Sequence, residues 1–404
     1  MTAVLGPLGV RVERGPAVLA AADDGPSLAA HRATHGELPG VALTPLLADL
    51  ERVGLRGRGG AGFPFGRKLE TAAKGRGRPT VVVNLSEGEP ASAKDATLAM
   101  VAPHLVLDGA LAAARVLGAR EVHVVVPEAD LQVRAAVEQA LGERPRDRVR
   151  HVVHRADESF VAGQVNAVLE LMAGRPNRPV TAWEPAAVSG HRGRPTLVSN
   201  GETYAQLGLL VLRGVRDHLS RGTTDEPGTT LLTLHDDGGK RVVEVAFGTP
   251  WKALLDPASL DRPVLIGGYH GTWAEAGRLR ELTVSRSGLA EADLTLGAGV
   301  VLVPDGCPLW FARSVTTYLA AQSAGRCGPC RNGLPAVAEA FTRVVDGVGG
   351  LAELERLCGL VERRGACAHP DGTARMVRSA LARFPEEVQR HTRGGCSEGG
   401  RPRA

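Results

Sequence analysis

Apolar positions recur at helical spacing across residues 44–55, where Leu46, Leu47, Leu50, Val53 and Leu55 predict a helix that runs into a glycine-rich loop. The period then changes. Residues 80–84 read Thr-Val-Val-Val-Asn, a continuous β-branched run suited to a strand buried on both faces. A helical stretch at 103–117, a strand at 122–126, a helix at 130–141 and a strand-like stretch at 148–153 follow. This β-α-β-α-β alternation predicts a parallel sheet covered by helices. Residues 1–35, broken by Pro7, Gly15 and Gly25-Pro26, show neither period and are expected to be an irregular lead-in.

Beyond residue 215 the texture shifts to short strands at 229–234, 241–247 and 263–267, separated by turns. After Pro304-Asp305-Gly306 the helical period returns and persists through 309–322, 333–346, 350–363 and 371–390. The expected fold class is α/β: a parallel-sheet domain over 1–220, a small β-rich domain over 225–300, a helical bundle over 305–392 and a disordered tail over 393–404.

Composition adds little to fold class but narrows function. Of 404 residues, 43% are hydrophobic and 23% charged, ordinary values for a globular chain. The net charge of +4 comes with both signs interspersed and no basic run alternating with aromatics, which argues against nucleic-acid binding. No stretch approaches the roughly 18 apolar residues of a spanning helix, and the N-terminus lacks a basic-then-apolar signal. A cytoplasmic location is expected, with no direct membrane insertion and any membrane association made through a partner. The six cysteines all lie beyond residue 300, a clustering that favours metal or cluster binding over disulfides.

Candidate chemistry begins in the loop Gly57-Arg58-Gly59-Gly60-Ala61-Gly62. It matches G-x-G-x-x-G but follows a helix rather than a strand, which disfavours the ordinary dinucleotide fingerprint. Its glycines still leave backbone N–H groups open to a phosphate, with Arg56 and Arg58 adding charge. Lysine is scarce: only five of the 48 basic residues are Lys, and Lys68, Lys74 and Lys94 fall within one short segment. Phe63 and Phe65 flank the loop in a chain with seven Phe, and an aromatic face there can stack on a nicotinamide or flavin ring. Asn84-Leu85-Ser86-Glu87-Gly88-Glu89-Pro90 follows the strand at 80–84, at the end where open α/β sheets bind ligands.

Late in the chain, Ser323-Ala324-Gly325-Arg326-Cys327-Gly328-Pro329-Cys330-Arg331 gives a C-x-x-C loop, with Cys367 further on. Thiolates at that spacing converge on one ion or cluster. A zinc site from Cys327, Cys330, Cys358 and Cys367 is arithmetically possible, although Cys358 lies in a helix-like run and reads as a core residue. Cys307 and Cys396 read as incidental.

Taken together with Pro195-Thr196-Leu197-Val198-Ser199-Asn200-Gly201-Glu202-Thr203, these motifs resemble, in order and over residues 40–390, the NADH- and FMN-binding F subunit of NADH-quinone oxidoreductase. The resemblance implies an FMN-binding α/β domain, a β-grasp-like soluble-ligand-binding domain and a helical domain for a 4Fe-4S cluster. It implies that Gly57, Arg58, Gly59, Gly60, Gly62 and Lys68 hold flavin or NADH phosphates. It further implies that Asn84, Glu87, Phe160, Gly163, Val198, Asn200 and Thr203 line the flavin site, that Phe63 stacks near NADH, and that Glu89 binds its ribose. Cys327, Cys330 and Cys367 would be the cluster ligands.

Three positions depart from the family pattern. Its Asn-x-Asp-Glu is Asn84-Leu85-Ser86-Glu87 here; its Gly-Glu-Glu-Thr is Gly163-Gln164-Val165-Asn166, with Phe160 at a usual Tyr; and its first cluster cysteine is Ala324. The first two remove acidic groups, which raises the expected flavin potential and makes NADPH an alternative to NADH. The third leaves three thiolates, enough for a 3Fe-4S cluster or a 4Fe-4S cluster with a foreign ligand, or else marks a lost cluster. The expected activity is oxidation of NADH or NADPH through FMN, with electrons passed to a ferredoxin-like or complex I-type redox subunit. The alternative is a non-catalytic scaffold of a redox complex.

Overall fold

In the computed structural model the β-branched run forms the strand Thr80–Asn84, with Val81, Val82 and Val83 fully buried. The structure describes residues 3–5, 9–144 and 149–397. The end of the expected tail, from 398 onward, lies outside the described residues. The chain divides into two compact units, one of residues 1–178, 182–234 and 240–249, the other of 179–181, 235–239 and 250–404.

In the first unit four parallel strands make a sheet. Thr80–Asn84 lies between Glu121–Pro127 and Thr196–Asn200, and Arg150–Ala156 lies outside Glu121–Pro127. Parallel neighbours need crossover connections, and the helices Pro103–Leu117 and Leu131–Glu143 supply two of them. The chain steps outward from Thr80–Asn84 in one direction and then returns to its other side. Strand order therefore reverses between Thr80–Asn84 and Thr196–Asn200, where Asn84 stands in register with Asn200.

The helix Gly201–Leu219 packs backbone to backbone on Pro103–Leu117. A Cβ on Gly109 would stand 1.8 Å from the Tyr204 carbonyl oxygen, and one on Gly208 2.5 Å from that of Leu105. Only glycine allows that approach. This pair forms the floor of the main hydrophobic core together with Leu46, Leu50 and Leu69.

From residue 9 onward the lead-in is ordered, contrary to the expectation of an irregular segment. Arg11–Glu13 runs parallel to Gly239–Ala246, and Leu28–His35 is a helix whose N-cap Ser27 accepts from the Ala30 N–H. The buried Glu244 carboxylate accepts the N–H groups of Ala17, Val18 and Leu19 at 2.8–3.0 Å. A carboxylate more than 220 residues away supplies the order, so no local periodicity announces it.

In the second unit, the short strands Val264–Ile266, Thr272–Ala274 and Val300–Leu302 pair antiparallel and are followed by helices. The helical stretch expected at 371–390 is two helices, His369–Arg383 and Pro385–Thr392, because Phe384 precedes a proline and takes φ −123, ψ 50. Trp273 is fully buried and meets Phe311 and Phe384 edge-on, which fixes the strands to the helices. Among the described residues no single helix is long and apolar enough to cross a membrane.

Candidate functional site

At the carboxyl ends of Thr80–Asn84 and Thr196–Asn200, three segments converge. The glycine-rich loop leads into the helix Phe65–Lys74, and a Cβ on Gly59 would lie 3.9 Å from the Asn200 side chain. Gly60 and Gly62 have φ of +102 and +61, a backbone region that other residues adopt only with strain. Lys68 donates from Nζ to the Val198 carbonyl at 3.0 Å, and burial holds its pKa below the ordinary lysine value.

Across the crevice, Asn84 donates from Nδ2 to the Gly163 carbonyl at 2.7 Å and accepts at Oδ1 from the Ser86 hydroxyl at 2.6 Å. Gly88 packs directly on the backbone at 159–160, since a Cβ there would lie 2.7 Å from the carbonyl oxygens of Ser159 and Phe160. The segments at 84–90 and 159–163 therefore form one wall, and the 57–62 loop with 198–203 forms another. A ligand in between would meet side chains already held by internal partners.

Beneath the loop lies a buried network that no local motif announces. Lys94 donates from Nζ to Glu202 Oε2 at 2.8 Å and to the Arg58 carbonyl at 3.0 Å. Glu202 also accepts from Thr230 Oγ1 and from the Leu231 N–H, at 3.1 and 2.9 Å. Asp95 accepts from Asn200 Nδ2 at 3.1 Å and from the Glu202 N–H at 2.9 Å. Thr203 Oγ1 accepts the Arg58 N–H at 2.9 Å and donates to Asn200 Oδ1 at 2.5 Å. Burial alone would lower the Lys94 pKa, but the Asp95 and Glu202 carboxylates outweigh it and hold the ammonium above its ordinary value. Burial pushes Asp95 up to about 6, against the pull of Lys94. The scarcity of lysine pointed to Lys94, whereas nothing in the sequence singled out Asp95 or the role of Glu202.

Two expected contacts do not stand as read. The Arg58 guanidinium is turned inward, 3.7 Å from Glu202 and over the Phe247 ring, so only its backbone remains on the loop. The Glu87 carboxylate, at a residue with φ +31, accepts from Ser92 Oγ and from the N–H groups of Asp95 and Ala96. It caps the helix Lys94–Val101, as an acceptor at a helix N-terminus does. Lys94 itself is fully buried, and Lys74 pairs with Glu70 on the surface. Phe63 is 51% exposed beside the loop, while Phe65 is buried edge-on against Tyr204.

In the second unit the C-x-x-C loop holds Cys330 on a single wide helical turn, Pro329–Gly333, of the kind that recurs at functional sites. Ser323 donates from Oγ to the Cys330 carbonyl at 3.1 Å. Burial pushes the Cys330 thiol up to about 11, reinforced by the neighbouring Cys327 and Cys367 thiols. The three sulfurs thus share one locality, and Ala324 is buried with only a methyl to offer. Cys358 lies fully buried on the helix Leu351–Val361, as a core residue.

Comparison with known proteins covers both regions. Residues 50–208 match the Nuo51 FMN-binding domain, and residues 310–391 match the NADH-ubiquinone oxidoreductase-F iron-sulfur binding region. The chain is 30% identical over 363 residues to the second F subunit of NADH-quinone oxidoreductase from Rhizobium meliloti, covering 83% of this chain and 86% of that protein. It is 28% identical over 397 residues to the corresponding F subunit of Streptomyces coelicolor, covering 91% and 88% respectively. Among solved structures, the NAD+-reducing [NiFe]-hydrogenase in its air-oxidised state superposes with a TM-score of 0.80 at 24% identity, over 94% of this chain and 67% of that one. That likeness shows the fold: an α/β unit with a parallel sheet and a helical C-terminal region. With the two matched regions in the same order and a relative at this identity over most of both chains, the protein belongs to the family of NADH-quinone oxidoreductase F subunits.

Proposed function

We propose that this chain oxidises NADH through bound FMN and hands the electrons to an iron–sulfur partner. The observation that carries the reading is the convergence of the 57–62 loop, Lys68, Asn84, Asn200 and Thr203 at the point where strand order reverses. In open α/β sheets that point is where ligands bind. The residues present suit a flavin mononucleotide: glycines clear the crevice walls of side chains, loop amides face a phosphate, and Lys68 supplies a cation. When bound, FMN supplies acceptance of a hydride and release of single electrons.

The protein's part is positional. Gly59, Gly60 and Gly62 would bring backbone N–H groups to the phosphates, with Lys68 behind them, while the Gly57 N–H closes the loop by donating to the Phe63 carbonyl at 2.9 Å. Asn84, Gly163, Val198 and Asn200 would line the ring, with the fully buried Thr203 holding Asn200 from behind. Phe63, half exposed beside the loop, would offer a face to the nicotinamide, Phe160 would lie on the 159–163 side, and Glu89 would accept from ribose hydroxyls. No proton is moved by a side chain in this reading; the pocket aligns donor and acceptor and excludes water. Ser86, whose hydroxyl is turned to Asn84, stands where the family has a carboxylate, and the smaller negative charge favours NADPH as the alternative donor.

Cys327, Cys330 and Cys367 would hold an iron–sulfur cluster as a one-electron carrier, with the fourth iron site left without a cysteine at Ala324. A cytoplasmic chain docked to a ferredoxin-like or complex I-type subunit accords with this arrangement. The test is anaerobic mixing of the purified yellow protein with NADH or NADPH. Rapid loss of flavin absorbance is expected with NADH. A colourless protein that takes up no FMN overturns the reading, and flavin that binds without bleaching favours the scaffold.

A further inference from the structure

Cys307 and Cys396 read as incidental in the sequence, yet in the second unit they meet Glu387 and His391, with one ligand atom from each of the four lying within 4.8 Å of every other. Glu387 and His391 are one turn apart on the helix Pro385–Thr392 and so share a face. Cys307 immediately precedes the helix Pro308–Ala321, and Cys396 follows the last helix. Cys307, Glu387 and His391 are buried.

The separations suit a tetrahedral metal. Bond lengths of about 2.3 Å to sulfur and about 2.0–2.2 Å to nitrogen and oxygen, at tetrahedral angles, require ligand pairs roughly 3.3–3.8 Å apart, the longest between two sulfurs. Cys307 Sγ lies 3.3 Å from His391 Nε2 and 3.6 Å from Glu387 Oε1, and Glu387 Oε1 lies 3.3 Å from His391 Nε2.

The surroundings match as well. The other ring nitrogen of His391, Nδ1, is 2.5 Å from the Val345 carbonyl, the backbone partner that orients a metal-bound imidazole. Ser397 donates its N–H to Glu387 Oε1 at 2.9 Å, and Arg390 donates to Oε2 at 2.8 Å. Two thiolates and one carboxylate, set against a divalent ion and Arg390, leave the cluster without net charge.

We propose that Cys307, Glu387, His391 and Cys396 form a structural zinc site, distinct from the C-x-x-C loop, that clamps the segment after the helix Pro385–Thr392 to the start of the helix Pro308–Ala321. Soft thiolates with one imidazole and tetrahedral spacing select Zn2+ over Mg2+ or Ca2+.

Native mass spectrometry of the full chain purified under reducing conditions is expected to show one bound zinc per chain, and elemental analysis should show its loss in both Cys396→Ser and His391→Ala. Loading the parent with Co2+ should give thiolate charge-transfer and tetrahedral ligand-field bands that Cys396→Ser lacks. Circular dichroism checks that the variants fold; if they do not, the zinc mass on the parent still decides. No zinc on the parent, equal zinc in parent and folded variants, or a Cys307–Cys396 disulfide in metal-free protein would each overturn the proposal.

Discussion

The crevice of the first unit and the thiol loop of the second are finished to different degrees. In the crevice, three of the groups placed at the ligand side are held by others behind them: Asn200 by Asp95 and Thr203, the 57–62 loop by Lys94 and Thr203, and Lys68 by Val198. In the thiol loop, the Cys330 thiol has the Cys327 and Cys367 thiols as neighbours, but the position where the family has a fourth cysteine is the buried methyl of Ala324. Binding pockets that carry their own support can lose a peripheral acidic group, as at Ser86, and keep their shape. A cluster site has no such reserve, because each ligand is a bond to the cluster itself.

The largest effect should come from Lys94→Met. It leaves the Glu202 carboxylate buried without its closest cation, and removal of one partner from a buried pair costs about 3–5 kcal/mol. Urea unfolding should show that loss together with loss of bound FMN, while the iron content of the purified protein, whatever the parent carries, stays unchanged. Loss of both would tie the two centres together and break the contrast. Next is Ala324→Cys, which completes the thiolate set. Iron and sulfide should rise to about four each per chain, as for a cluster held by four cysteines, with the EPR signal of a reduced 4Fe-4S centre. An unchanged iron content would mean that something other than the missing sulfur limits assembly.

Acidity gives a smaller handle on the crevice. Because burial raises Asp95 to about 6 from its ordinary 3.8, the folded state takes up a proton more readily than the unfolded chain. The unfavourable contribution of the buried charge is fully present above about pH 6 and is relieved as pH falls toward 4. Stability of the parent relative to Asp95→Asn should therefore fall as pH rises through that window; urea midpoints of both proteins at pH 4–7 measure it. A flat difference would mean that Asp95 keeps an ordinary pKa. Phe63→Ala should move stability by no more than about 0.5 kcal/mol, as at other exposed positions. It should raise the KM for NADH by up to about tenfold, as loss of one stacking contact predicts. An unchanged KM would remove Phe63 from the nucleotide path.

Much of this arrangement was legible in the residues. The run at 80–84, the helices at 103–117 and 130–141 and the C-x-x-C loop have local signals, and the structure has elements there with small shifts of boundary. The glycine loop and Asn84 were likewise identifiable, through composition and position at a strand end. Glu244, Asp95 and Glu202 were not, because carboxylates that accept from backbone amides well outside their own element, over a hundred residues away for Glu244 and Asp95, leave no periodic trace. Arg58 illustrates the converse. It looks like a phosphate cation by its neighbours in sequence, but Glu202 and Phe247, both distant in the chain, turn it inward. Cys307 and Cys396 seemed unrelated for the same reason: 89 positions separate them, and the turn at Phe384 brings them together.

The network under the glycine loop also sets an order of events during synthesis. The loop is complete once residue 62 has been made, but Arg58 donates to the Thr229 carbonyl and Glu202 waits for the Leu231 N–H. A nascent chain that has emerged only to residue 220 would carry every residue of the crevice and still lack the strand that locks Glu202 and Arg58 under it. Flavin capture is therefore tied to the arrival of that strand, and a fragment cut at the end of the parallel-sheet region would own the pocket's residues without its floor.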